Sequence, residues 1–241
     1  MNKSPPAPIE RALTICEPYA WLVSSGVKII ENRTWRPPAD LPLPHRIAVH
    51  AGTSQRYIDP YKGDGLDTAE FLMGLHPEIA NVISDKEDGG KYEESDYQEG
   101  RRQLFTLGAI IGSVEIIGCV DFDPTTQDPD DVFLPSRLPG LFPEIPPGMF
   151  AEGPHCWLLA SAHRYRQPIY CPGRLNLWKL SPAQQAAVAA AEADGLANGF
   201  SVFDELLATP ESEWPKPPKG KQAKAVKAPA KPPAKAKAGK A

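Results

Sequence analysis

Apolar and polar residues alternate along several short stretches of the chain, and a period of two residues is the pattern of a half-buried β-strand. Residues 46–50 place Ile47 and Val49 on one face and His50 on the other. We therefore predict a strand there, with His50 pointing away from its apolar face. Residues 104–122 form the longest such stretch, with even-numbered apolar side chains: Ile110, Val114, Ile116, Val120 and Phe122. Shorter apolar runs predict further strands at residues 13–16, 29–35, 155–160, 167–170 and 175–180.

Helix signals are fewer than strand signals. A proline at the first turn predicts a helix over about 18–25, and Gly26 suits its C-terminal cap. Ser181, followed by a proline and an alanine-rich stretch, predicts a second helix over 182–194. A further short helix is predicted within 195–207.

Charge is distributed unevenly along the chain. The 241 residues carry a formal net charge of −4, but residues 216–241 contain nine lysines and no acid. Without those lysines, seventeen basic residues face thirty acidic ones, so residues 1–215 carry about −13. Segments rich in Lys, Pro and Ala do not bury enough apolar surface to fold. We therefore predict an acidic folded body and a disordered basic tail that can contact nucleic-acid phosphates or, equally, the acidic body of the same chain.

The richest polar chemistry lies between Gly26 and Trp35. On a strand, Glu31, Arg33 and Trp35 share a face, because side chains two positions apart point the same way. A carboxylate among cations can hold a polar planar ligand, and an indole offers a stacking surface. A simpler interpretation is also open, since an exposed Glu–Arg pair contributes only ~0–1 kcal/mol and Trp35 can be a core or rim aromatic.

Gly26, Lys28, Glu31 and Arg33 reproduce without a gap the pattern G-x-K-x-x-E-x-R, the signature of the ASCH domain. The chain resembles that family in three further blocks, in the same order: residues 13–21 (a strand and a Pro-aromatic-Ala-Trp helix start), 46–52 (a strand ending in His-Ala) and 153–180 (the closing strands). The resemblance implies an α+β fold, a small mixed PUA-like β-barrel with flanking helices, related to the YTH and EVE modules. It also implies a cleft, between the first helix and neighbouring strands, that takes a nucleotide or nucleobase.

With that resemblance the chain divides into four parts. Residues 1–10 are a flexible lead-in, and residues 11–181 form the ASCH-like, PUA-like domain, with inserted loops at about 54–103 and 123–152. Residues 182–214 form a C-terminal helical extension, and residues 215–241 form the disordered Lys/Pro/Ala-rich tail. The first insertion has helical patterning in part of 54–83 and an acidic surface loop at 85–100.

Seven residues are candidates for ligand contacts in such a cleft: Tyr19, Lys28, Glu31, Asn32, Arg33, Trp35 and His50. The aromatic side chains offer stacking surfaces, the cations can meet phosphate or base acceptors, and Glu31 and Asn32 can accept from exocyclic amines. A hydrogen-bonded structural role suits His50 equally well. Trp21 and Trp157 fit the core slightly better than the cleft. We predict binding of nucleic acid or a nucleobase, with RNA or a modified base as the ligand.

Whether the chain is also an enzyme stays open on the sequence. Some ASCH-like proteins suggest amide hydrolysis on acylated cytidines, and ribonuclease activity has been attributed to others. In the amidohydrolase type a threonine nucleophile follows the motif lysine by three positions, and here that position is Glu31. A hydrolase acting on acylated cytidine or RNA would use Glu31 as general base and Lys28 as oxyanion stabiliser. A third interpretation is an interaction domain whose motif residues only join the helix to the sheet.

Four scattered cysteines show no zinc-binding spacing: Cys16, Cys119, Cys156 and Cys171. They suit buried thiols in a reducing compartment, and we predict no metal and no cofactor. The N-terminal residues lack an apolar leader, and no apolar run reaches the ~18 residues of a membrane span. We therefore expect a cytoplasmic protein without a membrane partner.

Overall fold

Strands dominate the computed structural model, which describes residues 8–58, 105–133 and 146–196. The strands are β1 (Arg11–Ile15), β2 (Ile30–Arg33), β3 (His45–Ala51), β4 (Ala109–Asp121), β5 (His155–Tyr170), β6 (Leu177–Lys179) and β7 (Gly195–Leu196). The helices are α1 (Tyr19–Ser24), α2 (Pro129–Val132), α3 (Pro182–Ala193) and a 3₁₀-helix (Pro147–Phe150). Over these residues the fold is α+β, as the ASCH resemblance implies.

The six longer strands form one mixed sheet in the order β2-β5-β4-β3-β1-β6, and β7 adds to β5. β1 and β3 run parallel, whereas the other pairs are antiparallel. The sheet curls into a half-barrel, which is consistent with the PUA-like α+β expectation. β4 and β5 are its longest strands, with 13 and 16 residues, and register shifts between them supply local bends. β2 lies at one end of the strand order, paired with β5.

Apolar side chains pack on both faces of β3. Ile47 and Val49 lie in one buried cluster with Trp157, and Ala48 lies in another with Trp178. A strand covered on both sides leaves no face for solvent, so its polar residues must find partners inside. His50, near the end of β3, is buried in this environment.

Helix α1 packs closely against β4 because Gly112 has no side chain there. A Cβ at Gly112 would lie 2.5 Å from the carbonyl oxygen of His163 and 2.8 Å from Cβ of Ser24. Both distances are shorter than carbon atoms tolerate. Glycine at this position therefore sets how near the helix can come to the centre of the sheet.

Three expectations about β5 and its surroundings were wrong. The two strands predicted at 155–160 and 167–170 are one strand, because the intervening residues, including Arg164, stay in the ladder with β4 and β7. Residues 195–196 form β7 and not the start of a helix. The strand predicted over 29–35 spans only Ile30–Arg33. The predicted start of α3 is confirmed: Ser181 and Gln184 form a reciprocal capping box.

The insertions are described only in part. Residues 54–58 contain turns and no helix, and the rest of the first insertion, including the predicted helical segment and the acidic loop, lies outside the described residues. The second insertion contains α2, whose N-cap Asp128 accepts from the main-chain N–H of Asp130. The predicted lead-in (apart from residues 8–10), the C-terminal extension beyond residue 196 and the basic tail also lie outside the described residues.

Candidate functional site

A tight turn after α1 delivers Lys28 to the start of β2. Gly26 adopts a φ of 81°, in the left-handed region that favours glycine. The chain folds back so that the main-chain N–H of Lys28 donates to the Leu22 carbonyl oxygen at 2.9 Å. The motif glycine therefore has a local geometric role, which is to place the motif lysine next to the strand that carries the motif acid.

Lys28, Glu31 and Arg33 form a row of paired charges, called here the charge row. Lys28 Nζ lies 2.6 Å from Glu31 Oε2, and Arg33 Nη2 lies 2.9 Å from Glu31 Oε1. The side chains of Lys28 and Glu31 are only 5% and 7% exposed. Burial on this scale argues against the solvated surface pair, because charges taken out of water need such pairing to be tolerated. The charge row carries one net positive charge.

Both oxygens of the Glu31 carboxylate are occupied by these cations. Lys28 Nζ also donates to the Ile30 carbonyl oxygen, which fixes the ammonium in place. A general base must accept a proton from water, but the Glu31 side chain is only 7% exposed and each of its oxygens is already paired with a cation. The geometry therefore gives no support to the general-base role predicted for Glu31.

Arg33 reaches from β2 to β1. Its Nη2 donates to the Thr14 carbonyl oxygen at 3.1 Å in addition to pairing with Glu31. Its Nε is buried and has no acceptor among the residues that the structure describes. A buried donor without a partner costs about 1–3 kcal/mol. A ligand acceptor at this point would remove that cost.

Tyrosine rings border the charge row on the side of α1. Lys28 Nζ lies 5.9 Å from the centre of the Tyr19 ring, and the Tyr57 ring packs edge-on against Tyr19 with 5.4 Å between ring centres. The Arg56 guanidinium lies 5.1 Å from the centre of the Tyr57 ring. Both tyrosines are half-buried. Neither tyrosine is therefore fully enclosed by the fold.

Cys16 lies within electrostatic reach of both groups. Burial raises the pKa of its thiol, the Arg33 and Arg56 charges lower it, and the Glu31 and Glu17 charges raise it. Charges from both groups, together with the buried Glu17, therefore act on this thiol. We call this set of residues the cationic site: Cys16, Tyr19, Lys28, Glu31, Arg33, Arg56 and Tyr57. It contains three cations and one carboxylate.

Asn32 lies on the opposite face of β2 and serves a different purpose. Its Nδ2 donates to the Phe150 carbonyl oxygen at 2.8 Å, and its Oδ1 accepts from the main-chain N–H of Glu152 at 3.0 Å. The Cys156 thiol lies 3.4 Å from the same Oδ1. The amide thus joins β2 to residues 150–152, and both of its ends are used by the fold. The structure does not bring Asn32 into the cationic site.

Trp35 lies just beyond β2 and packs edge-on against Trp157, with ring centres 4.7 Å apart. Trp157 Nε1 donates to the Trp35 carbonyl oxygen at 3.0 Å. Trp157 is the cross-strand partner of Glu31, so the Trp35 ring lies near the charge row and is half-buried. Trp157 and Trp21 are buried in the core, the environment that suits them best on the sequence.

His50 is buried on the other face of β3 from Ile47, in the direction that the alternation predicts, but that face is covered. His50 Nε2 lies 2.9 Å from the Cys171 carbonyl oxygen, and the ring packs edge-on against Trp178. Gly173 lies directly over the ring, because a Cβ there would come within 2.5 Å of it. Burial lowers the pKa of His50. Among the described residues no direct contact joins His50 to the charge row, although Thr14, whose carbonyl oxygen accepts from Arg33, is its cross-strand partner.

A buried polar group that the sequence did not reveal connects α1 to β5. Glu17 is fully buried; its Oε2 accepts from the main-chain N–H of Trp21 at 2.9 Å, and its Oε1 has no partner among the described residues. Arg164 is also buried and donates to Ser24 Oγ at 2.9 Å. Burial raises the pKa of Glu17 to about 7, against the attraction of Arg164 and the Trp21 hydrogen bond. In the sequence, the one acidic residue within the otherwise largely apolar residues 13–23 was the feature that could have indicated this buried carboxyl group.

The described residues contain no group of three His, Cys, Asp or Glu side chains close enough together to hold a metal ion. Burial raises the pKa of all four cysteines, although only Cys156 is fully buried and the other three are half-buried. Among the helices of the described part, none is long and apolar enough to cross a membrane.

The fold and site define an α+β domain with a half-barrel sheet and a cationic site between its first helix and second strand. Neither the protein-family models nor the curated proteins give a match to the chain. Among solved structures it is similar to the crystal structure of ASCH from Zymomonas mobilis, with 13% identity, 78% of this chain and 97% of that chain covered, and a TM-score of 0.35. At that TM-score the likeness carries no weight for fold or function. The ASCH resemblance therefore rests on the four sequence blocks between residues 13 and 180.

Proposed function

We propose that the cationic site binds nucleic acid or a nucleobase, with single-stranded RNA or a modified base as the ligand. The observation that carries the proposal is a continuous run of contacts from the charge row through two half-buried tyrosine rings to a third cation: Lys28 lies near Tyr19, Tyr19 packs against Tyr57, and Arg56 lies near Tyr57. Single-stranded nucleic acids are bound by this combination, because cations meet the phosphates and aromatic rings stack on the bases.

Two further features support this proposal. Arg33 Nε offers a buried donor that lacks an acceptor among the described residues, and phosphate or base carbonyl oxygens are suitable acceptors. The nine lysines of residues 216–241 supply additional positive charge for a salt-dependent, sequence-independent contact with phosphates. The sequence blocks shared with the ASCH family favour the same ligand class. Amide hydrolysis with Glu31 as general base has no comparable support, since both Glu31 oxygens are paired.

The test is the affinity for a fluorescently labelled single-stranded RNA, measured by anisotropy with the full chain. Arg33→Lys keeps the charge but removes the planar guanidinium with its Nε donor. We expect it to weaken binding about tenfold, the equivalent of one charge-assisted hydrogen bond of about 1.4 kcal/mol.

Arg46→Lys is the matched control. Arg46 is 23% exposed against 20% for Arg33, and it also pairs with carboxylates, those of Glu192 and Glu115. We expect its affinity for the RNA to stay within twofold of the unmodified protein. Equal losses in the two variants, or no binding by the unmodified chain to RNA or to a panel of nucleosides, would refute the proposed function.

A further inference from the structure

A buried carboxyl group lies directly before the helix that carries Tyr19. Glu17 precedes α1, its side chain is fully buried, and its Oε2 accepts from the main-chain N–H of Trp21 at 2.9 Å. This bond spans Tyr19, because it joins the residue two positions before that tyrosine to the residue two positions after it. Glu17 therefore holds the first turn of α1, the turn from which the Tyr19 ring reaches the cationic site.

The fold leaves this carboxyl group only partly satisfied. Its Oε1 has no hydrogen-bond partner among the described residues. The buried Arg164 of β5 attracts the carboxylate, but its guanidinium donates to Ser24 Oγ at 2.9 Å and not to Glu17. No other charged side chain that the structure describes on β1, β3, β4 or β5 acts on the group. Burial therefore raises the pKa of Glu17 to about 7, and the group gains and loses its charge close to neutral pH.

The charge of Glu17 acts on the same thiol as the charges of the cationic site. The Glu17 and Glu31 charges raise the pKa of Cys16, and the Arg33 and Arg56 charges lower it. Glu17 and the cationic site thus share one electrostatic environment. Among the described residues no hydrogen bond or ion pair joins Glu17 to the charge row, so any coupling between them acts through the electric field and through α1.

We propose that Glu17 regulates the cationic site, which holds RNA more tightly when this carboxyl group is protonated than when it is ionised, an inference that rests on the proposed function. The ionised carboxylate repels a phosphate and offsets part of the attraction of the three cations. Because Glu17 is buried, salt screens this effect less than it screens surface charges.

The coupling is reciprocal, since a bound phosphate must disfavour the ionised form of Glu17 by the same factor. We expect a factor of about five, at the lower end of the usual range for coupled sites, because no direct contact joins the two.

The test compares the affinity of the full chain for a labelled single-stranded RNA at about pH 6 and about pH 8.5, at one ionic strength, by anisotropy. The RNA carries a 5′-hydroxyl, because a terminal phosphate itself titrates at about pH 6. Glu17→Gln keeps an acceptor for the Trp21 main-chain N–H but has no charge at either pH. We expect the fold-loss of affinity between the two pH values to be about five times larger in the unmodified chain than in Glu17→Gln. At the lower pH the two affinities should agree within about twofold.

Glu115→Gln is the matched control. It also replaces a carboxylate with an amide, but Glu115 is 33% exposed, lies on β4 and pairs with Arg46, outside the buried group at the start of α1. Its affinity should change between the two pH values by the same factor as that of the unmodified chain. Every other titrating group is shared by Glu17→Gln and the unmodified chain, so its contribution cancels in their comparison.

Carbon-13 NMR of the Glu17 carboxyl group measures the reciprocal effect. The acid dissociation constant of Glu17 should fall about fivefold when RNA saturates the chain. An equal pH-dependent loss of affinity in Glu17→Gln and the unmodified chain, or an acid dissociation constant that RNA leaves unchanged, would overturn this inference alone. RNA that is not bound at either pH would overturn the proposed function with it.

Discussion

The pH dependence of folding stability should reveal the buried carboxyl group of Glu17. Glu17 is fully buried and binds its proton more tightly in the folded chain, with the pKa raised from 4.5 to about 7. Below pH 4.5 the group is protonated in both states. As the pH rises from 4.5 towards 7, the unfolded chain releases the proton while the folded chain retains it. The free energy of unfolding therefore falls through this window and levels off above it.

The magnitude follows from the size of the shift. Each pKa unit corresponds to about 1.4 kcal/mol, so the raised pKa of Glu17 corresponds to a loss on the order of 3 kcal/mol by pH 8. Glu17→Gln keeps the shape of the protonated acid and can still accept from the Trp21 main-chain N–H. We expect the free energy of unfolding of the variant to equal that of the unmodified protein near pH 4.5 and to be higher at pH 8 by that amount.

Urea unfolding followed by tryptophan fluorescence, repeated from pH 4.5 to 8.5, measures this difference. Glu192→Gln is an informative control because its effect has the opposite sign. Burial raises the pKa of Glu192, but hydrogen bonds from Ser113 and Tyr165 and the charge of Arg46 outweigh it, so the net pKa is lowered. The Glu192 carboxylate therefore stabilises the folded chain above the pKa that this group has in the unfolded chain, and this stabilisation is lost as the pH falls. If the difference in free energy of unfolding between Glu17→Gln and the unmodified protein does not change with pH, or if Glu17→Gln is the less stable of the two at pH 8, the reasoning is refuted.

Three other outcomes are expected. Gly112→Ala should lower the free energy of unfolding by about 1–3 kcal/mol, because the new Cβ would meet the His163 carbonyl oxygen of β5 and the Cβ of Ser24. Gly118→Ala, whose Cβ would meet only Leu158 at 3.4 Å, should lower it by less than about 1 kcal/mol. Equal losses for the two variants in denaturant titrations would contradict the close packing of α1. Ser181→Ala should cost about 1 kcal/mol by removing the cap of α3, and thermal melts that show no change would argue against the capping box. Replacing the nine tail lysines with glutamine should make the plot of log affinity for RNA against log salt concentration less steep, without changing base preference. Each lost phosphate contact lowers the magnitude of that slope by about 0.7. An unchanged slope would show that the tail does not contact the phosphates.

Features set by neighbouring residues were predictable from the sequence. The pairing of Glu31 with Arg33 follows from strand parity, and the N-cap of α3 follows from Ser181 next to a proline. The turn at Gly26 that delivers Lys28 also depends only on local geometry. In each case the partners are within a few positions, so periodicity alone brings them together.

Features that depend on distant parts of the chain were not predictable. Arg164 meets Ser24 across 140 positions, and Asn32 bonds the Phe150 carbonyl oxygen across 118. His50 is predicted to point away from the apolar face of its strand and is a candidate for ligand contact, but it is buried because Trp178 covers that side of β3. Periodicity shows which face of a strand a residue occupies. It does not show whether another element covers that face.

The measurement that tests the central claim most directly is the location of bound RNA. A single-stranded RNA containing 4-thiouridine, cross-linked to the full chain by light and analysed by peptide mass spectrometry, reports which residues lie against the bases. We predict cross-links at Tyr19, at Tyr57 and in residues 28–33, all of them reduced by Arg33→Lys. Cross-links confined to residues 216–241, or unaffected by Arg33→Lys, would contradict the claim that the cationic site holds the ligand.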